Sequence, residues 1–291
     1  MKKLEETDLQ IGDILIFENN DFSYEDFYNL TPKWNEAYDK EKWKPAAFYL
    51  LLYMIPWFDP GEDPKNYKNI YHAAIWGNVN VNRDEKNLPT ENQNRIVQAG
   101  THGIGQAELD ATLRGPGVKN IYVYRYKGKD AAFQSNINTE IRKFYNNTSI
   151  KYSYETAWLL AVICSMRYSD GAMHKILKDK IGEWAANFMI GIIQDLIGQY
   201  SDDNQQEMVA CSTLVAMIYK DAKFPLKIKD SVKDQPLDIS LNFDKIEEKS
   251  TIKELKDKNI PKVTINNTVV TPRQLLESNS VEEVGCFPFR G

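Results

Sequence analysis

Three residues in this chain are of the types that thiol-dependent acyl chemistry needs: Cys211, His72 and Gln98. Such chemistry requires a thiol whose ionised form is favoured, and a helix N-terminus and a nearby imidazole both promote that. It requires an imidazole within reach of the sulfur, acting first as base and then as acid. A third polar group should hold the ring in one tautomer. Cys211 meets the first requirement by its setting. The polar run 201–207 ends shortly before it, and Leu214, Val215, Ile218 and Ala222 follow at i+3, i+4, i+7 and i+11. That spacing places Cys211 on the core-facing stripe of a helix, near its start.

His72 falls in Tyr71-His72-Ala73-Ala74-Ile75-Trp76-Gly77, which reads as a strand. Alternation predicts His72, Ala74 and Trp76 on one face and Tyr71, Ala73 and Ile75 on the other. The small neighbours leave room for a helix to approach. Gln98 lies between Val97 and Ala99 in the next strand. If buried it needs a partner, and its carbonyl can accept an imidazole N–H. Each residue also has a plainer reading. Free cysteine is among the most buried residue types, a strand histidine is commonly structural, and Gln98 reads equally well as solvent-facing. His102, in the Gly-rich stretch 100–105, is a further candidate, either lining a cleft or standing in for Gln98. Cys164 reads as core, His174 as surface, and Cys286 near the tail is given no role.

The elements that must position these residues follow from pattern. Residues 11–17, 71–77, 95–99 and 120–126 read as strands, with 100–105 as a loop. Residues 46–58 read as an apolar helix ending near Pro56, followed by a Pro- and Gly-punctuated loop at 59–64. Helical spacing covers 130–145, 156–166, 172–199 and 208–220. The tail holds β-prone stretches at 262–265 and 268–270, then a helix after Thr271-Pro272. Strands early and helices late predict an α+β fold.

Composition narrows the class. A chain of 291 residues with 42% hydrophobic content can bury a sizeable core. The formal net charge of −5 argues against a nucleic-acid partner. Three widely spaced cysteines form no disulfide framework and no zinc-type spacing, and they suit a reducing compartment. The opening MKKLEETDLQIGD lacks the apolar segment of a signal peptide, so the chain as it stands is expected in the cytoplasm, with an earlier-removed leader left open. The most apolar runs, 46–58 and 156–166, fall short of the ~18 residues of a spanning helix, and nothing indicates membrane contact.

Taken in order, Gly12-Asp13-Ile14-Leu15-Ile16-Phe17, Tyr71-His72-Ala73-Ala74-Ile75-Trp76-Gly77, Ile96-Val97-Gln98-Ala99 and Cys211-Ser212-Thr213-Leu214-Val215 resemble the permuted NlpC-type papain-like hydrolases. In these the Cys-bearing helix follows the sheet, an order shared with the lecithin:retinol acyltransferase group. Tyr122-Val123-Tyr124-Arg125 is similar to the family's strand ending in Arg. Thr271-Pro272-Arg273-Gln274-Leu275 is similar to the closing segment of its bacterial amidase-like branch. The resemblance implies one domain over 1–291 with a small antiparallel sheet packed on the Cys helix. It implies Cys211 as nucleophile, His72 as general base and Gln98 as the orienting residue. The Cys211 backbone N–H would then be an oxyanion donor. Tyr152 or Tyr154 stands where the family carries a Tyr-Asp pair.

Three departures are evident: Gln98 stands where close relatives have Glu or His, Ala210 stands where they often have an aromatic residue, and the stretches at about 20–66 and 165–205 are longer than the family pattern, as insertions. The expected activity is cleavage of an amide in an N-acyl amino acid, small peptide or cell-wall fragment. No metal or organic cofactor is implied. Two alternatives are a lipid acyltransferase or thioesterase using the same dyad, and a non-catalytic binding module on the same fold. The oligomeric state is not legible.

Overall fold

The strand β1 (Ile14–Asn19) is buried along its whole length because it runs through the interior of a sheet with apolar side chains packed on both faces. The computed structural model describes residues 1–33, 40–59, 69–85, 87–100, 103–115, 117–148, 170–183, 185–187, 211–228, 237–238, 264–265 and 270–290. After β1 the elements are α1 (Tyr24–Leu30), α2 (Lys44–Phe58), β2 (Ile70–Asn80), β3 (Asn92–Gly100), β4 (Gly103–Ala107), α3 (Leu109–Leu113), β5 (Val118–Tyr126) and α4 (Phe133–Asn146). Then come α5 (Asp170–Ile181), α6 (Cys211–Asp221), the paired dipeptides β6 (Leu237–Asp238) and β7 (Thr264–Ile265), α7 (Pro272–Leu276) and β8 (Val281–Pro288).

The fold is mixed α+β. Six strands form one antiparallel sheet in the order β4-β3-β2-β1-β5-β8. Alternation along the strands sorts two apolar clusters. Ile14, Ile16, Ala73, Ile75, Val97 and Tyr122 face the helices α2, α4 and α6. Leu15, Phe17, Ala74, Trp76, Ile96 and Val123 face the other way, where Leu109 and Leu113 of α3 cover them.

Four sequence expectations need correction. Residues 103–107 are not loop but the edge strand β4, paired with β3 from Ile96↔Ala107 to Gly100↔Gly103; local Gly content hid a pairing that only the partner strand reveals. The helix α2 runs past Pro56 to Phe58, because proline so near a helix end forfeits little hydrogen bonding. The segment 281–288 carried no strand assignment, yet β8 closes the far edge against β5, placing Cys286 opposite Tyr122. The backbone of Cys286 also bonds the N-terminal segment, donating to Lys2 O at 2.9 Å and accepting from Leu4 N at 3.0 Å. Finally, Tyr71 does not alternate with His72. The β1–β2 register steps from Phe17↔His72 to Glu18↔Ile70, leaving Tyr71 as the extra residue of a β-bulge. The bulge brings Tyr71 to the His72 side, against Phe17, while Ile70 joins the helix-side cluster.

The helix expected at 156–166, residues 188–199, 208–210 and the β-prone residues 262–263 and 268–269 lie outside the described residues. The described part of the 20–66 segment packs on itself and on β2. Phe22 is ringed by Tyr24, Tyr49, Tyr53 and Trp57, with centroids 5.1 to 5.6 Å away. Such tilted and edge-on contacts add to the area term of burial. Among the described residues no helix is long and apolar enough to cross a membrane.

Candidate active site

The helix α6 presses its apolar stripe, Leu214, Val215 and Ile218, onto β2 and β3, and all three side chains are fully buried. Two buried hydroxyls fix its position along the sheet. Tyr219 Oη donates to the carbonyl of Gly12 at 2.5 Å. Ser212 Oγ donates to the carbonyl of Val270 at 2.5 Å, tying the helix start to the segment that leads into α7. That segment is itself capped: Thr271 accepts from Gln274 N, and Gln274 Oε1 accepts from Thr271 N. These contacts hold Cys211 at the sheet with 2% of its surface exposed.

His72 and Gln98 come from adjacent strands at the point where those strands part. The β2–β3 ladder runs from Asn80↔Asn92 to Ile75↔Val97 and, among the described residues, goes no further. Beyond that rung β2 pairs with β1, and β3 with β4. Across the fork His72 Nε2 lies 2.8 Å from Gln98 Oε1. The sulfur of Cys211 also sits at this fork. It is within hydrogen-bonding reach of the His72 ring and of the backbone N–H groups of Ala73 and Ser212. An N–H of Ser212 directed at sulfur is one of the first-turn donors that an α-helix leaves without an internal carbonyl.

Gln98 Oε1 can only accept, so His72 Nε2 carries the proton and Nδ1 is left for the thiol. The ring is held edge-on to Phe17 at a centroid distance of 5.0 Å, and Tyr71 stacks beside it at 6.1 Å and 30°. His72 and Gln98 are both partly exposed. Opposite Gln98 on β4 is Gly105, where an added Cβ would meet nothing within 4 Å. Among the described residues, the space above Gly105 beside Gln98 is unfilled.

The electrostatics follow from this geometry. Burial alone would push the Cys211 thiol up, but the His72 charge, the bond to the ring and the Ala73 and Ser212 N–H groups bring it below the ordinary thiol value. Burial likewise works against the His72 imidazolium, yet the Cys211 thiolate and the bonds to sulfur and Gln98 raise it above the ordinary imidazole value. The two shifts run in opposite directions, both toward a thiolate–imidazolium couple, the state in which sulfur is nucleophilic.

The structure thus brings together Cys211, His72 and Gln98. His102, Tyr152, Tyr154 and Cys164 lie outside the described residues. His174, in α5, is bonded outside this group, its Nε2 2.9 Å from Asn187 Oδ1. Sequence reasoning missed Tyr71 and the Ala73 N–H. An alternating run gives no sign of a bulge, and a main-chain donor has no residue type to read. No protein-family model matches the chain, and no curated protein or solved structure matches it.

Proposed function

We propose that this chain is a cysteine hydrolase with a permuted papain-like arrangement, cleaving an amide through an acyl-enzyme on Cys211. The observation that carries this is the relay at the fork: a Cys211 thiol with a lowered pKa, the His72 ring beside it, and His72 Nε2 2.8 Å from Gln98 Oε1. The order strand-His, strand-Gln, helix-Cys is the permuted one. His72 Nδ1 takes the thiol proton, and the sulfur adds to the carbonyl carbon. On collapse the C–N bond breaks, and His72 gives its proton to the departing amine. Water then adds to the thioester, with His72 accepting its proton, and the C–S bond breaks to release the acid. Gln98 orients the ring but, being neutral, does not stabilise the imidazolium as a carboxylate would.

The substrate class is a small amide: an N-acyl amino acid, a short peptide or a cell-wall fragment. A working free thiol fits a reducing compartment, and we place the protein in the cytoplasm. The test is hydrolysis of N-acyl-lysine, short cell-wall peptides and acyl-lipids by the protein and by Cys211→Ala. Amide cleavage abolished by the substitution supports the reading. Turnover confined to acyl-lipids would keep the dyad and move the substrate to the lipid class. Alkylation of Cys211 near pH 7 no faster than in the denatured chain would falsify an activated thiol and leave a binding module.

A further inference from the structure

The β-bulge in β2 places Tyr71 next to the dyad, although strand alternation assigns it to the opposite face. Bulges commonly re-aim one side chain while the rest of the strand keeps its register. Here both Tyr71 and His72 meet the same ring, with Phe17 edge-on to each at centroid distances of 6.4 and 5.0 Å. Tyr71 is partly exposed, and its hydroxyl has no hydrogen-bond partner among the described residues. This phenol is packed on its apolar body against Phe17 and His72, and its hydroxyl is unused by the other described residues.

We propose, on the cysteine-hydrolase reading above, that Tyr71 is a catalytic residue of the same site, its phenolic O–H donating to the oxyanion formed when the Cys211 sulfur adds to a substrate carbonyl. Addition forms the C–S bond and moves the carbonyl π pair onto oxygen. Tyr71 donates a hydrogen bond to that oxygen and keeps its proton. Collapse restores the carbonyl and expels the leaving group. Burial, together with the negative charge of the Cys211 sulfur, holds the phenol far above its ordinary pKa, so the donor stays protonated at any working pH. A donor already fixed by Phe17 and His72 needs no reorganisation when charge develops, the condition under which oxyanion donors are most effective.

The experiment compares two reactions of one sulfur. Acylation by p-nitrophenyl acetate passes through an oxyanion. Alkylation by iodoacetamide displaces iodide at a saturated carbon and forms none. Both rates are measured on the protein, on Tyr71→Phe, which keeps the ring and its packing, and on Cys211→Ala as baseline. The expected result is an acylation rate lower by about 10- to 100-fold in Tyr71→Phe, with alkylation unchanged within about twofold. If both rates fall together, Tyr71 only positions His72 and the assignment is overturned. If neither falls, Tyr71 takes no part. Failure of the hydrolase reading looks different: the intact protein would then release p-nitrophenolate no faster than Cys211→Ala, and the role of Tyr71 would fall with it.

Discussion

His72 and Gln98 meet across a gap in the sheet: their side chains bond at 2.8 Å, beyond the last backbone rung that joins their strands at Ile75 and Val97. A side-chain bond takes over where the ladder stops. The same opening admits the Cys211 sulfur, which reaches the N–H of Ala73 there. The fork is thus both a break in the sheet and the place where the candidate relay is assembled.

Removing the Gln98 amide should leave His72 free to adopt either tautomer. Gln98→Ala is expected to lower kcat/KM at least about tenfold, or about 1.4 kcal/mol of transition-state stabilisation. Gln98→Glu should instead raise the His72 pKa further, moving the alkaline limb of the rate profile to higher pH. Steady-state rates against pH for both variants check this, and identical profiles in all three proteins would remove Gln98 from the relay.

The directions of the two pKa shifts predict the pH behaviour of the thiol. Cys211 is lowered, so its alkylation should rise and level off at a lower pH than that of an ordinary thiol. His72 is raised, so its proton persists to higher pH than in a free imidazole. Amide cleavage, which needs that proton for the leaving amine, should decline above the raised value while alkylation continues. In His72→Ala, burial is no longer opposed by the imidazolium. Alkylation at pH 7 should then slow markedly, as iodoacetamide kinetics would show.

Gly12 holds a φ of 92° and carries the carbonyl that anchors Tyr219 of α6. An added Cβ would stand 3.0 Å from Phe133 Cε1. Gly12→Ala is expected to cost about 1 to 2 kcal/mol from the left-handed backbone alone. Tyr219→Phe, leaving that buried carbonyl without its donor, should cost about 1 to 3 kcal/mol. Urea unfolding measures both, and a neutral Gly12→Ala would show that the turn relaxes.

Arg125 grips the buried Asp13 carboxylate with two bonds, Nε at 2.7 Å and Nη2 at 2.6 Å, beside the turn that carries Gly12. Arg125→Met would strand a charge that is 1% exposed. A loss of about 3 kcal/mol is expected, since breaking one side of a buried pair removes the compensation for desolvation. A double variant with Asp13→Asn should recover part of it in the same unfolding experiment.

Much of the sheet could be read in the sequence because its strands follow a period of two. Leu15, Phe17, Ala74 and Trp76 went to one face, and Ile14, Ile16, Ala73 and Ile75 to the other. The stripe of Leu214, Val215 and Ile218 behind Cys211 was equally plain. Where local signal and long-range pairing disagreed, the reading failed. Gly103 and Gly105 look like loop residues, yet β3 supplies the partner that makes them strand. Val281 to Pro288 has little local strand signal, and β5 draws it into the sheet.

By itself the sequence determined the residue types able to do thiol chemistry, the elements that carry them and the order of those elements, because helix and strand periodicity are properties of neighbouring residues. Tertiary structure alone decided the candidate relay. Whether Cys211 is a core thiol or an activated one depends on the end of the β2–β3 ladder at Ile75 and Val97, and on the Ser212 and Tyr219 bonds that set the helix against it. The place of Tyr71 depends on one extra residue opposite Phe17. These are outcomes of strand register, a competition among pairings between residues distant in the chain, and no local pattern encodes which pairing wins.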